Sequence, residues 1–390
     1  MDEVIIYGAG KWGKIAYYYY ENICNIYCFA DNNEEKWGTF LHDKEIVSPE
    51  VLIGFKGKVI IAVQNGLVQI ENELKEKYGI CQFLEFGVKQ RGRFVADKQE
   101  FNEKCIVMEY AGGLGNQLFQ FALAKYLEWK GRKVVADITH YSSLNTRRFE
   151  LGRLFKNNCL RYASEDVNIY FAMKDKISRM EKLNQRYVYE EPDITRCSQY
   201  GVSEEWGNIK RGVVKGYFQT YLFADQIRAV LLHCLEFPTM EDNSLCALAD
   251  DMKRKNSVSI HIRRGDYLAE SERRMDGICD VSYYEKAIQR IRESVKNPYY
   301  YIFSDDISWC KENVKVDKVI YIEPEMFLDY EDWYDMYLMC KCKHNIIANS
   351  SFSWWGAWLN ENEDKIVIAP KKWDNFCCLT NICPPIWIRV

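Results

Sequence analysis

The sequence predicts an α/β protein built from largely parallel, doubly wound sheets. Short apolar, strand-like segments alternate with helical segments along much of the chain. Twice, a strand runs directly into a glycine-rich turn and then into a helix. Strands that alternate with helices in this way lie parallel in one sheet, and the helices cover its faces. The 390 residues are enough for roughly two or three domains with substantial cores.

The first strand–turn–helix stretch opens the chain. A buried-type strand at residues 4–7 leads through residues 8–13 (GAGKWG) into a helix, and the next strand, residues 26–30, ends at Asp31. Glycines at this spacing let a phosphate approach the helix N-terminus, and the acidic residue can bind ribose hydroxyls. We therefore predict a small Rossmann-like domain over residues 1–103. Its candidate nucleotide-binding residues are Gly8, Gly10, Gly13 and Asp31.

A packing role is the alternative for these glycines, because a residue without a side chain lets a helix lie close to a strand. Taken alone, the pattern would also permit a nicotinamide cofactor and oxidoreduction. A polar, charged stretch at residues 89–104 follows this domain, and we take it as the domain boundary.

The second strand–turn–helix stretch comprises a strand at residues 106–110, the turn 112–117 (GGLGNQ), an amphipathic helix and a strand at residues 134–137. Residues 150–210 are charged and irregular and contain few motifs. Strands and helices alternate again from residue 257 onward, which predicts a parallel sheet. The strands predicted there span residues 257–262, 299–303, 319–321, 345–348 and 365–369.

Composition and charge exclude several classes of protein. The formal net charge is only −4, so we predict no nucleic-acid partner. The 15 cysteines show no framework spacing, which favours reduced thiols. No apolar stretch approaches membrane-spanning length, and the first residues lead into a strand without a signal peptide. We expect a cytoplasmic protein and leave open a peripheral contact with the inner face of the membrane.

Residues 261–267 (HIRRGDY) are the most informative segment. The strand at 257–262 ends in two adjacent arginines and a glycine turn. Ligands of open α/β sheets bind at the carboxyl ends of strands, and each planar guanidinium can bind phosphate oxygens bidentately. Arg263 and Arg264 are therefore predicted to bind a diphosphate. The alternative is a surface arginine pair in a solvated turn.

Two further polar clusters follow predicted strands. Asp305 and Asp306 come directly after the strand at 299–303, and Ser350 and Ser351 precede a helix. Free N–H groups at a helix N-terminus attract anions, although serines there can also be simple caps. Together with the arginine segment, these clusters predict a nucleotide-diphosphate pocket. Cys340, Cys342 and His344 also lie close together, but no second cysteine pair has zinc-ribbon spacing.

These motifs resemble glycosyltransferase family 11, the α-1,2-fucosyltransferases. The family's hallmark segment is matched by residues 261–267 and its opening signature by residues 112–120 (GGLGNQLFQ). The resemblance covers residues 105–390 in order and leaves the first hundred residues outside it. The other similar segments are residues 216–219 (GYFQ), 305–306 (DD), 333–339, 346–350 (IIANS), 353–355 (SWW) and 370–373 (PKKW).

The resemblance implies a GT-B architecture, in which two Rossmann-like halves face each other across a cleft. Residues 104–250 would form the acceptor-side half and residues 251–390 the donor-binding half, with the last residues crossing back. The implied reaction transfers L-fucose with inversion from GDP-β-L-fucose to the 2-hydroxyl of a terminal galactose on a glycan. Such a reaction would serve synthesis of a bacterial surface polysaccharide or O-antigen. A nucleotide-sugar sensor and another GDP-sugar transferase are the alternatives.

The resemblance also implies roles for individual residues. Arg263 would contact the β-phosphate, Asn116 would orient both substrates, and Asp266 would act as the general base or brace the arginines. His140 is a second, remote base candidate. The sequence contains no Asp-any-Asp motif, so we expect a reaction without metal or cofactor. The expected donor-binding residues are His261, Arg263, Arg264, Gly113, Gly115, Asp305, Asp306, Ser350, Ser351 and Phe352.

Overall fold

The computed structural model confirms an α/β protein with parallel sheets. It divides into two compact units, residues 1–103 with 166–187, and residues 104–165 with 188–390. The expected boundary at 89–104 lies outside the described residues. The structure describes residues 2–20, 24–41, 44–63, 67–84, 86, 105–142, 148–155, 159–162, 171, 175, 178–179, 185–193, 197–240, 242–268 and 275–390.

A sheet with strand order β3-β4-β2-β1-β5-β6 forms the centre of the first unit. Its pairs are parallel except β3 with β4, which is an antiparallel pair. Buried aliphatic side chains on the strands supply the core, as expected for a sheet covered by helices. The elements are β1 Glu3–Tyr7, α1 Lys11–Tyr20, β2 Asn25–Ala30, β3 Phe40–Leu41, β4 Lys44–Val47, β5 Lys58–Ile61, α2 Leu67–Tyr78 and β6 Phe83–Leu84.

The second unit contains a four-stranded and a six-stranded parallel sheet. The four-stranded sheet comes first along the chain and has strand order β8-β7-β11-β9. The central helix of this half, α3, is buried along most of its length because apolar residues occupy nearly every face. The elements are β7 Cys105–Glu109, α3 Leu114–Trp129, β8 Lys133–Asp137, α4 Leu151–Leu154, β9 Val188–Glu190, β10 Gln199–Tyr200, β11 Gly212–Lys215, α5 Tyr221–Gln226 and α6 Arg228–Cys234.

The second sheet of this unit has strand order β14-β13-β12-β15-β16-β18, and all its pairs are parallel. The five strands that the sequence predicted from residue 257 onward are all present in this sheet, and some of them are shorter than predicted. The elements are α7 Asn243–Arg254, β12 Ser257–Ile262, α8 Val281–Ser294, β13 Tyr299–Ser304, α9 Ile307–Asn313, β14 Val319–Tyr321, α10 Trp333–Lys341, β15 His344–Ile346, α11 Ser351–Leu359, β16 Val367–Ala369, β17 Cys378–Leu379 and β18 Ile388–Arg389.

The C-terminal segment crosses between the two halves, but not with its last residues. Strand β17 pairs with β10 of the first half, and Asn381 hydrogen-bonds the backbone of Val202 there. The chain then returns, and β18 pairs with β16 at the edge of the second sheet. The crossing expected of the final residues is therefore made earlier, because β16 offers the last strand an unpaired edge.

One hydrophobic core joins the two sheets of the second unit. It includes Val214 of β11 and Val367 of β16, and the rings between them come from α3 and α11. Phe119 packs against Trp354 and Trp355 with ring centroids 4.5 and 5.2 Å apart. Burying an aromatic side chain of this kind stabilises the fold by roughly 3 kcal/mol. The two halves are consequently held together by packing as well as by the crossing segment.

Gly115 sets how closely α3 and α11 approach. A Cβ atom at this position would lie 2.5 Å from the backbone nitrogen of Phe352 and 2.6 Å from the Ser351 Oγ. Neither backbone could yield without separating the helices, so only glycine fits. The N-termini of the two helices therefore lie side by side.

Gly115→Ala is expected to destabilise the second unit by roughly 1–3 kcal/mol, because the methyl group overpacks a backbone contact. Thermal unfolding followed by near-UV circular dichroism measures the loss. Gly10→Ala in the first unit is the matched control, since no atom lies within 4 Å of the Cβ position there. Equal stabilities of the two variants would contradict this account of the helix contact.

Candidate active site

A cavity of about 700 Å³ lies between the two sheets of the second unit. Its walls come from loops that follow parallel strands at their carboxyl ends, where ligands of α/β sheets bind. The first sheet contributes Gly112, Asn116, Glu190, Glu191 and residues 215–217, among others. The second sheet contributes Arg263, Asp266, Tyr267, Asn349, Ser351, Trp373 and Asp374.

Arg263 lies on the second sheet's side of this cavity, between two carboxylates. Its Nη1 is 3.1 Å from Asp305 Oδ2, and its Nε donates to Asp266 Oδ1 at 2.9 Å. Burial works against the cation, but these two carboxylates raise the pKa of Arg263 above its ordinary value. The guanidinium is therefore charged and fixed in direction before any ligand arrives.

Arg264 has a different environment, although it is the next residue. Its guanidinium carbon lies 4.1 Å from the ring centroid of Trp309, and its Nε donates to Asp306 Oδ2 at 3.3 Å. It lines a smaller neighbouring cavity of about 170 Å³ instead of the main one. The structure thus separates the two predicted phosphate ligands, because successive side chains at a strand end point in different directions.

Asp305 and Asp306 organise this strand end. Asp305 Oδ1 accepts from the backbone N–H of Arg264 at 2.9 Å, while Oδ2 lies against Arg263. Asp306 caps α9 by accepting from the backbone N–H of Trp309 at 3.0 Å. Neither carboxylate lines the main cavity. Their visible contacts are with arginines and a helix N-terminus.

His261 is a buried strand residue with 6% of its surface exposed. Its Nδ1 has no hydrogen-bond partner among the described residues. Burial, and then the charge of Arg263, lower the pKa of His261 to about 3. The imidazole is therefore neutral at physiological pH, and its ring lies 6.1 Å from that of Phe352.

Two helix N-termini meet at the cavity that Arg263 also lines. Gly113 is the N-cap of α3 and Ser350 the N-cap of α11, and neither residue makes a side-chain capping hydrogen bond. Ser351, at the start of α11, lines the cavity. Because the backbone N–H groups at helix N-termini carry partial positive charge, this part of the cavity favours an anion.

Asn116 is held by a chain of side chains that crosses the cavity. Gln219 Nε2 donates to Asn116 Oδ1 at 2.8 Å, and Trp373 Nε1 donates to Gln219 Oε1 at 3.2 Å. With its oxygen engaged, Asn116 presents its amide nitrogen as a donor beside Gly112. The sequence placed Gln219 and Trp373 in motifs without giving either a role.

Glu191 is a cavity residue that the sequence did not reveal. Its carboxylate accepts from the backbone N–H groups of Tyr217 and Phe218 and from the Tyr200 hydroxyl. It lies in the irregular stretch 150–210, where no local pattern marks it. Tyr217, in contrast, lies in the segment 216–219, which the sequence analysis identified as similar to the family.

Packing and backbone conformation explain two of the three glycines in the glycine loop of the first unit. Gly8 has a φ of +106°, and a Cβ on Gly13 would lie 2.0 Å from the Gly8 oxygen. Gly10 has open space around it. Asp31 Oδ2 accepts from the backbone N–H of Ala9 at 2.7 Å and contacts Lys36 at 3.0 Å. Its carboxylate thus closes the loop in this structure.

No group of three or more His, Cys, Asp or Glu side chains within the described residues could hold a metal ion. Near the cysteines considered for zinc, Cys340 Sγ donates to the Tyr337 carbonyl, and His344 Nδ1 accepts from the Ile366 N–H. Among the helices that the structure describes, none has both the length and the apolar character needed to cross a bilayer.

A family model and two bacterial relatives indicate the same class of protein. The family model for "Glycosyl transferase family 11" matches residues 105–388. The chain is 33% identical over 301 residues to an alpha-1,2-colitosyltransferase of Escherichia coli, covering 73% of this chain and 98% of that protein. It is 34% identical over 295 residues to the O-antigen biosynthesis glycosyltransferase WbnK of Escherichia coli, covering 67% and 93%.

A solved structure, the fucosyltransferase NodZ from Bradyrhizobium, aligns with a TM-score of 0.37 at 12% identity, covering 66% of this chain and 93% of that one. From the family match and the relatives, the protein is a glycosyltransferase. It belongs to glycosyltransferase family 11, which confirms the resemblance carried by the motifs.

His261→Gln is expected to make stability less dependent on acid pH. The folded pKa of about 3 lies below the ordinary 6.5, so the unfolded chain takes up the proton first as the pH falls. The stability contributed by the neutral ring is complete above about pH 6.5 and is lost towards pH 3, by roughly 2 kcal/mol between pH 7 and pH 5. Urea unfolding at both pH values measures it.

The control for this titration is His233→Gln, at an exposed position of α6. Wild type and the His233 variant should lose more stability between pH 7 and pH 5 than the His261 variant does. If all three lose the same amount, the buried imidazole does not titrate as described.

Proposed function

We propose that this enzyme transfers L-fucose from GDP-β-L-fucose to the 2-hydroxyl of a terminal galactose, with inversion and without a metal. The observation that carries the proposal is Arg263, fixed between Asp266 and Asp305 in the cavity that Asn116 of α3 and Ser351 of α11 also line. This arrangement presents a fixed guanidinium donor and backbone N–H groups where a diphosphate would depart.

The architecture proposed for this reaction is GT-B. The sheet centred on β7 and β11 belongs to the acceptor-side half, residues 104–250, and the sheet centred on β12 to the donor-binding half, residues 251–390. The parallel order of both sheets and the cavity between them support this division. For residues 1–103 we propose a Rossmann-like domain, which the strand order around β1 supports.

The departing GDP must be stabilised as the fucosyl bond breaks. Arg263 donates to the β-phosphate, and the N–H groups at the start of α11, near Ser350 and Ser351, add to the positive potential. One well-placed donor of this kind lowers a barrier by roughly 3–4 kcal/mol. Because fixed protein groups meet the charge and the sequence lacks an Asp-any-Asp motif, no metal is needed.

The rest of the donor is assigned to the same half. His261 and the Asp305–Asp306 pair are proposed for guanine and ribose, which requires the two carboxylates to exchange their present contacts with Arg263, Arg264 and the start of α9 for the ligand. The Nδ1 of His261, which lacks a partner among the described residues, supports a polar ligand next to that strand. Arg264 supports this strand end through Asp306. Gly113, Gly115 and Phe352 shape the space around the diphosphate where α3 meets α11.

The acceptor side is proposed to position the attacking hydroxyl. Asn116, with its donor directed into the cavity by Gln219, orients both substrates. For Asp266 we favour bracing of Arg263, since one of its oxygens contacts both Nε and Nη2 at 2.9 Å. The proton of the acceptor hydroxyl can then pass to an oxygen of the departing GDP, provided that the fucosyl bond breaks largely before the hydroxyl attacks. His140 lines the same cavity as the second candidate base.

The relative WbnK, which is named for O-antigen biosynthesis, supports a place in O-antigen synthesis. We propose a cytoplasmic enzyme with a peripheral contact at the inner face of the membrane. The partners would be GDP-fucose and a galactose-terminated glycan. One relative is named a colitosyltransferase, which makes colitose the second candidate sugar. No role in binding nucleic acid is proposed.

The test is a donor panel. Purified enzyme receives GDP-fucose, GDP-colitose, GDP-mannose or UDP-galactose with galactose-terminated acceptors, and mass spectrometry with linkage analysis identifies the product. An α-1,2-fucosylated product from GDP-fucose is expected, and EDTA should leave its rate unchanged. Transfer from GDP-colitose alone would select the second candidate, and loss of activity in EDTA would refute the metal-free mechanism.

Arg263→Lys should lower kcat by roughly 10²- to 10³-fold, because a point charge cannot reproduce the two-pronged guanidinium contact. Steady-state rates with GDP-fucose measure the change. Arg290→Lys on α8 is the matched control, since that exposed residue pairs only locally with Glu293 at 3.1 Å. Comparable rates for the two variants would remove Arg263 from the mechanism.

A further inference from the structure

An aromatic side chain on the acceptor-side wall of the cavity has no role in the proposed reaction. Tyr217 follows β11 and lines the cavity, yet 45% of its surface is exposed. Among the other described aromatic residues of this unit, only Trp129, Tyr162 and Phe376 are as exposed. A tyrosine ring exposed inside a cavity offers a flat apolar surface of considerable area to a ligand.

The position of this ring is close to the reacting groups. A Cβ atom built on Gly112 would lie 3.2 Å from Tyr217 Cε1 and 2.7 Å from Asn116 Nδ2. Tyr217 and the amide donor of Asn116 therefore flank the same glycine, whose φ of +79° and missing side chain leave room for both. The ring thus lies beside the place where the acceptor hydroxyl must attack.

The turn that carries Tyr217 has positive-φ backbone on both sides, and it is strained at Phe218. Gly216 has a φ of +147°, and a Cβ there would lie 2.5 Å from the Glu191 Cβ. Phe218 has a φ of +52°, which is unfavourable for a residue with a side chain, and its buried ring packs against Trp206 at 4.8 Å. Strained backbone of this kind persists only where surrounding contacts hold it, and it often marks functional positions.

Glu191 supplies those contacts. Its Oε2 accepts from the Tyr217 N–H at 2.7 Å and the Phe218 N–H at 3.1 Å, and its Oε1 accepts from the Tyr200 hydroxyl at 3.1 Å. Burial raises the pKa of Glu191, and these three donors oppose that shift. The carboxylate is therefore committed to holding the turn and not to the chemistry.

We propose that the Tyr217 ring is the stacking surface for the terminal neutral pyranose of the acceptor, and that Glu191 is the residue that positions it. This inference rests on the proposed transfer to a glycan and identifies where the acceptor sugar lies. The C–H face of a pyranose packs on the aromatic face, while its hydroxyls point to the polar walls of the cavity. Stacking there brings the sugar next to Asn116 and opposite Arg263.

Kinetics of ring variants tests the stacking surface. Tyr217→Ala should raise the acceptor KM by roughly 10-fold or more and change kcat less, since the ring binds ground state and transition state alike. Tyr217→Phe keeps the ring and should stay near wild type. The slow hydrolysis of GDP-fucose in the absence of acceptor should be unchanged in both. Tyr27→Ala, at a position 61% exposed in the first unit, is the matched control.

Glu191→Leu tests the positioning role. Without an acceptor for the N–H groups of Tyr217 and Phe218 the turn is not held, so the acceptor KM should rise as in Tyr217→Ala while donor hydrolysis persists. Glu191→Gln can still direct its amide oxygen at these N–H groups and should stay nearer wild type. Glu76→Leu, at an exposed position of α2, is the control. Adding Tyr217→Ala to Glu191→Leu should then raise the KM little further, because both changes remove one surface.

The outcomes separate this inference from the function on which it rests. If wild-type enzyme transfers no sugar from any donor in the panel, the proposed function fails. If wild type transfers fucose and Tyr217→Ala retains the wild-type acceptor KM, the stacking surface alone is refuted. A loss of donor hydrolysis in Tyr217→Ala would place the ring in the donor site and would also overturn the inference.

Discussion

The close contact between the N-termini of α3 and α11 is the constraint on which the rest of the second unit depends. Gly115 permits this contact because its missing side chain leaves the backbone nitrogen of Phe352 only 2.5 Å from where a Cβ would be. Below it, the tryptophans of α11 and Phe119 of α3 fill one core shared by both sheets. At the same contact, the N-termini of both helices lie at the cavity that Arg263 also lines. The contact therefore joins the two sheets and places partial positive charge at the cavity.

Ion pairing fixes Arg263 in the absence of a ligand. A cation in a partly buried cavity is costly unless it is paired, and Asp266 and Asp305 supply the pairing. Asp305 also accepts from the backbone of Arg264, so the strand end is rigid. Neighbouring His261 remains neutral and adds no further positive charge. The result is a donor group whose direction is set before the substrate binds, which reduces the reorganisation needed during the reaction.

The cavity wall formed by the first sheet of the second unit is organised by a different means. There Glu191 accepts from the backbone N–H groups of Tyr217 and Phe218, and Phe218 has a positive φ. The chain of Trp373, Gln219 and Asn116 then links this wall to the opposite sheet. Both walls thus rely on contacts between segments far apart in sequence.

The sequence by itself determined the α/β class, the five predicted strands of the second sheet and the family, because local periodicity and motif spacing record these features. It also predicted that Arg263 would lie at a strand end. Only the tertiary structure decided that Arg263 lines the main cavity whereas Arg264 stacks on Trp309, since the direction of each side chain depends on what packs around the strand. The role of Glu191 could not be predicted either, because its carboxylate acts on the backbone of Tyr217, 26 residues further along the chain. Contacts over such distances are fixed by packing and leave no local pattern.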